Sequence, residues 1–203
     1  MVNEQDLRVK RTRSHIRAAF LDLIKENGYE GITIQQIADY AFINRATFYL
    51  HYKDKDELLE TLSEDVFTRL SNAIKPCKYI EQKKVRVAAF QSTITAIFLE
   101  IERNKKFYKV MLSENGVKGF RDSLQKIIRE KFENEFNSYG FNKDQSSVST
   151  GLLTVFISSA LVGTIKWWLE ENDSKSAEGI SKECVKICIS GPIKAAGFQI
   201  IEK

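Results

Sequence analysis

Thr33-Ile-Gln-Gln-Ile-Ala38-Asp-Tyr-Ala41-Phe-Ile43-Asn44-Arg45-Ala46-Thr47-Phe48-Tyr49-Leu50-His51-Tyr52-Lys53-Asp54-Lys55-Asp-Glu-Leu58 sets three helix starts close together. Thr33 with Gln36 three residues on is a capping box, so a helix begins there and carries Ile34, Ile37 and Ala38 inward. Asn44 is a good N-cap for a second short helix that buries Phe48 and Tyr52. Asp54 with Glu57 repeats the cap-and-acid pattern and opens a long helix lined by Leu58, Leu59, Leu62, Val66 and Leu70. Two short helices joined by Ala41-Phe42-Ile43 form a helix-turn-helix, the unit that lays its second helix in a DNA major groove.

Upstream, Ile16, Ala19, Phe20, Leu23 and Ile24 recur with helical spacing, which predicts a helix from about Lys10 to Asn27, stopped by Gly28. Downstream, Lys75–Lys84 reads as a charged connection, with Pro76 ending or following the long helix. An all-α body follows, with one helix through Val87, Phe90, Ile94, Ile97, Phe98 and Ile101 and a short one through Phe107, Val110 and Met111, broken at Asn115-Gly116. Another runs through Phe120, Leu124, Ile127, Ile128, Phe132 and Phe136 to near Gly140. The last two span Ser146 to Glu170, and about Ser176 to Ser190 before Gly191-Pro192. The expected organisation is all-α, with a helix-turn-helix head at 1–53 and a helical effector-binding and dimerisation body at 54–203.

Composition narrows the function. In 203 residues, 43% hydrophobic side chains provide a core, while two prolines and ten glycines are too few for a barrel or sandwich with regular turns. Three cysteines (Cys77, Cys184, Cys188) do not make a disulfide framework, which points to a reduced, cytoplasmic setting. The first residues lack the apolar run of a secretory signal. Gln145 to Ile165 carries no charge, but its many Ser and Thr residues fit a helix covered by protein better than a membrane span, so no membrane partner is expected. Residues 1–57 hold nine Lys/Arg and nine Asp/Glu, so nucleic-acid binding must rest on where charges sit, not on their sum.

The placement is suggestive. Arg45 lies on the first turn of the second short helix, where its fork can reach guanine O6/N7 or a phosphate. Thr47 offers a hydroxyl and a methyl, while Tyr49, His51 and Lys55 can donate to phosphates. Arg11, Arg13 and Arg17 add an approach surface that would make binding salt-dependent. No nucleophile elbow, P-loop, zinc-binding H-E-x-x-H or dinucleotide loop occurs, and neither histidine (His15, His51) lies in the body. An enzyme, a metal site and a cofactor are therefore not expected, and Cys184 and Cys188, four apart on one helix, read as packing residues. A protein-interaction adaptor that has lost DNA binding would have little use for Arg45, Tyr49, His51 and Lys55 together.

Residues 10–57 resemble the DNA-binding head of the TetR family of bacterial transcriptional regulators. The likeness rests on Thr33 to Leu58, with aromatic-Tyr-x-His-aromatic-x-x-Lys (Phe48 to Lys55) at the family distance from the capped threonine. The resemblance implies that Thr33, Tyr49, His51 and the amide of Lys55 anchor phosphates, and that Asn44, Arg45, Ala46 and Thr47 face base edges. Phe42 and Leu50 depart from it: the family favours Gly or a small polar residue at the former and often a polar one at the latter. Phe107–Gly116 and Phe156–Glu170 resemble the subgroup typified by regulators of dihydroxyacetone kinase operons.

That resemblance implies a homodimer on a palindromic operator, with two heads about 34–36 Å apart or a multiple of it. Repression released by an effector is the expected output, and activation controlled by a protein co-regulator the alternative; the effector is a small molecule or a protein. Aromatic and sulfur side chains at Phe90, Phe98, Phe107, Met111 and Trp167 are candidates to line its pocket, although such residues also serve as plain core. The uncharged helix, through Leu152, Phe156, Ser159 and Gly163, would pair with Ile180, Cys184 and Ile187 of the last helix in an isologous four-helix dimer interface.

Overall fold

The computed structural model describes residues 4–74, 80–81, 84–138, 148–171, 174–197 and 199. Its helices are α1 (Glu4–Asn27), α2 (Ile34–Tyr40), α3 (Arg45–Tyr49), α4 (Lys55–Ala73), α5 (Val87–Arg103), α6 (Lys105–Met111), α7 (Phe120–Ser138), α8 (Thr150–Glu171) and α9 (Ala177–Ala195). A two-stranded antiparallel ribbon, β1 (Ile80–Glu81) with β2 (Lys84–Val85), pairs Ile80 with Val85 where only a connection is expected from sequence. Pro76, Cys77 and Gly140, to which the sequence assigns helix ends and a thiol, lie outside the described residues.

Contacts divide the chain into two compact units, Met1–Val66 with Lys106–Phe120, and Phe67–Lys105 with Arg121–Lys203. The first unit therefore takes in half of α4 and nearly all of α6, segments that a boundary after residue 53 assigns to the body. Its core holds Ile16, Phe20 and Ile24 of α1, Ile37 of α2, Phe48 of α3, Leu58 and Val66 of α4, and Phe107 and Tyr108 of α6, all buried. Gly28, at φ 71°, ends α1 by donating its N–H to the carbonyl of Ile24 (2.9 Å). The segment 106–120 is tied to α1: Lys106 Nζ pairs with Asp22 (2.6 Å) and Asn115 Nδ2 donates to the carbonyl of Lys25 (3.1 Å). The Arg17 guanidinium lies over the Phe107 ring, 5.9 Å from its centroid.

In the second unit α5 packs along α9. The hydroxyls of Thr95 and Ser181 lie 2.8 Å apart, and Gln91 Nε2 donates to both, which satisfies these polar groups inside the helix pair. Phe98 meets Trp168 edge-on at 5.5 Å, and Trp168 Nε1 donates to the carbonyl of Lys175 (2.8 Å). Glu100 is 3% exposed and faces Arg69 Nε of α4 (3.7 Å), Arg103 Nη1 (3.4 Å) and Asn104 Nδ2 (2.9 Å). That ion pair fixes the C-terminal half of α4 against α5.

By length and composition α8 could cross a membrane, with a mean hydropathy of 1.6. Nevertheless Leu161, Val162, Ile165 and Trp168 are buried in the protein, while Leu152 and Phe156 stand 62% and 65% exposed. Gly191, at φ 73°, interrupts the α9 geometry as the sequence predicts, but Pro192 opens a further turn that runs to Ala195.

Candidate nucleic-acid interface

The head is organised by its caps. The Gln36 N–H donates to Thr33 Oγ1 (3.3 Å) and the Thr33 N–H donates back to Gln36 Oε1 (2.8 Å), so the capping box is complete. Asn44 Oδ1 accepts from both the N–H (2.7 Å) and the hydroxyl (2.9 Å) of Thr47. Asp54 Oδ1 accepts from the Glu57 N–H (2.8 Å), and the Glu57 carboxylate accepts from the Lys53 N–H, so α4 too starts on a reciprocal cap.

α3 has one buried side chain, Phe48, which meets the rings of Tyr49 (5.9 Å) and Tyr52 (5.8 Å). That anchor turns Asn44, Arg45, Ala46 and Tyr49 to the exposed side, with Thr47 half-buried. Arg45 Nη2 donates to Tyr49 Oη (3.0 Å) and its guanidinium stacks over the Tyr49 ring at 5.5 Å. Two long side chains are thus held one turn apart on the same outward face, which lowers the ordering cost of docking them on a ligand.

His51 is half-buried beside Tyr52, and its pKa is lowered, first by burial and then by the nearby charge of Arg13. The imidazole is therefore neutral at pH 7, with one N–H available as a donor. Arg13 also acts on Tyr52, which places that cation of α1 next to the α3 end of the head.

Lys55 differs from the sequence expectation. Its ammonium donates to the carbonyls of Tyr29 (3.1 Å) and Ile32 (3.2 Å) and lies 4.6 Å from the Tyr29 ring centroid, so the side chain is engaged within the head. Tyr29 also donates its hydroxyl to Asp56, and burial followed by that carboxylate pushes its pKa upward. This Tyr29–Lys55–Asp56 latch is missed by sequence reasoning. Tyr29 lies more than twenty residues from Lys55 and Asp56, and no local pattern joins them.

The body candidates divide. Phe90, Phe98, Phe107 and Met111 are buried, but Phe107 and Met111 belong to the unit that holds the head and the other two to the second unit. Trp167 is 39% exposed; its neighbour Trp168 is the one that packs inward on Phe98. An open groove of about 440 Å³ lies along α7, lined by Asp122, Gln125, Lys126, Arg129, Glu130 and Glu133. Leu152, Phe156 and Ile187 are exposed, Ser159 and Gly163 intermediate, and Ile180 and Cys184 buried. The last two are buried within their own unit, where α9 packs along α5. Burial, followed by the nearby Cys188, pushes the Cys184 thiol up to about 12.

Residues 16–62 match the family described as bacterial regulatory proteins, tetR family, and residues 88–190 match the description transcriptional regulator C-terminal region. YxbF, an uncharacterized HTH-type transcriptional regulator of Bacillus subtilis, is 27% identical over 183 residues, 88% of this chain and 44% of its own length. The HTH-type dhaKLM operon transcriptional activator DhaS of Lactococcus lactis is 38% identical over 61 residues, 30% of this chain and 33% of that protein. Matches to the curated relatives span less than half of their length. A solved structure of the dihydroxyacetone kinase operon activator DhaS aligns with a TM-score of 0.58 at 18% identity, covering 93% of this chain and 98% of that one. FadR from Bacillus subtilis, in complex with stearoyl-CoA, gives 0.59 at 19% identity over 88% and 98%. At those identities the structural likeness is one of fold.

Proposed function

The chain belongs to the TetR family of transcriptional regulators, and from that premise we propose that it acts as a homodimer that reads a palindromic operator in double-stranded DNA. The observation that carries this reading is α3 itself, capped by Asn44 and pinned by Phe48, with Arg45 and Tyr49 stacked on its outer side. In this reading residues 1–53 bind DNA and residues 54–203 take up an effector and dimerise, in the cytoplasm. Arg45 and Ala46 contact bases, while Asn44 and Thr47, whose oxygens are engaged in the cap, contribute an amide N–H and a methyl. Thr33, Tyr49, His51 and the backbone amide of Lys55 hold phosphates. The protein binds and switches; no catalytic group is assigned.

Occupancy of the operator represses, and an effector held in the body releases it. A second reading, activation under a protein co-regulator, is favoured by the likeness to the activator DhaS in both sequence and fold. Selection of sites from randomised duplex DNA by the full-length chain tests the shared premise. A recovered palindrome, bound with a steep dependence on salt, is expected; no sequence preference and a flat salt response would defeat it. Footprints over the promoter favour repression, and footprints upstream of it favour activation.

A further inference from the structure

Of the large apolar side chains among the described residues, the two most exposed are Phe42, at 95%, and Leu50, at 82%. They bracket α3: Phe42 lies two residues before its N-cap Asn44, and Leu50 is its C-cap residue. Phe42 is also the one non-glycine residue with positive φ among those described, at 55°. The hydrogen bonds give the reason. The Ile43 N–H donates to the Ala38 carbonyl (3.0 Å) and the Phe42 N–H donates to the Asp39 carbonyl (3.1 Å), the two bonds of a Schellman ending to α2. The left-handed residue of that ending is ordinarily glycine, and a Cβ there meets the following carbonyl. An aromatic residue at 95% exposure gains no burial within its own chain to offset the strain. Strained residues of this kind cluster where a ligand uses them.

The surroundings say which ligand. From Phe42 to Lys53 the chain carries Arg45 and Lys53 and no Asp or Glu. A polyanion is favoured there over an acidic or plain apolar protein surface. We propose that Phe42 is a specificity-determining DNA contact, its ring resting on a thymine methyl in the major groove beside α3. This rests on the DNA-binding reading above. Aromatic contact with that methyl is one of the ways in which base pairs are told apart in the major groove. Leu50 gives the opposite end of α3 a second apolar face.

The test uses the full-length chain, F42N and the duplex recovered by wild type from a randomised pool. Asn tolerates the left-handed conformation, so F42N keeps the turn and should melt about 2–4 °C higher. Its affinity for the recovered site should fall roughly tenfold, while the slope against salt stays as in wild type, because phosphate contacts are untouched. Replacing thymine by deoxyuridine at the contacted position should weaken wild type and leave F42N unaffected. Wild-type affinity in F42N overturns the proposal and leaves the DNA-binding reading standing. A loss in F42N with wild type indifferent to uracil at every position overturns the methyl contact. A wild-type chain that recovers no site removes both.

Discussion

The ammonium of Lys55 closes the loop between α1 and α2 onto the first turn of α4 through two carbonyls and one ring face. Removing it strands both carbonyls, so Lys55→Met should lower the unfolding free energy by about 1–2 kcal/mol in urea. An unchanged midpoint would take the latch out of the account. His51 makes a pH prediction. Burial and Arg13 hold its folded pKa below 6.5, so in that range the unfolded chain binds more protons than the folded one. Stability should therefore fall as pH drops through about 6.5 towards the folded pKa, and level off below it. Thermal melts across that window should show the loss in wild type and a flatter profile in His51→Gln; parallel profiles would contradict it.

At the scale of the element, α3 is too short to be stable alone and exists because both ends and its one buried ring are held. Asn44→Ala removes the acceptor for the Thr47 N–H and hydroxyl. A cost of about 1 kcal/mol in stability is expected from calorimetry, with a larger loss of operator affinity than of stability if α3 frays in the free head. Equal operator binding would mean that duplex contacts impose the helix by themselves. α8 shows the other way an element can be held. Its buried residues serve its own unit, whereas the apolar side chains of Leu152 and Phe156 are left exposed.

At the scale of the whole molecule, that outward face of α8, together with the exposed Ile187, Ile189 and Ile193 on α9, is the surface we propose for the dimer. Phe156→Glu would bury two unpaired charges across a two-fold axis, and sedimentation velocity should then report monomers at micromolar concentration where wild type sediments as a dimer. A monomeric wild type would refute the assignment. In the proposed reading, where effector and operator bind different segments of the chain, a coupling of about 1–3 kcal/mol between them is enough for a switch.

The starts of α2, α3 and α4, the stop at Gly28 and the all-α class could be read along the chain, because caps and apolar periodicity act within a few residues. The exposed edge of α3 followed in the same way, once Phe48 was identified as its anchor. Tertiary structure alone decided that Lys55 turns inward, that segment 106–120 packs with the head, that Trp168 rather than Trp167 is core, and that Ile180 and Cys184 are buried within their own unit. Each of these depends on which distant surface is available to cover a side chain, and a local pattern holds no information about that. Phe42 joins the two levels: sequence marks it as the wrong residue for a left-handed turn, and the packing of α2 against α3 holds it there regardless.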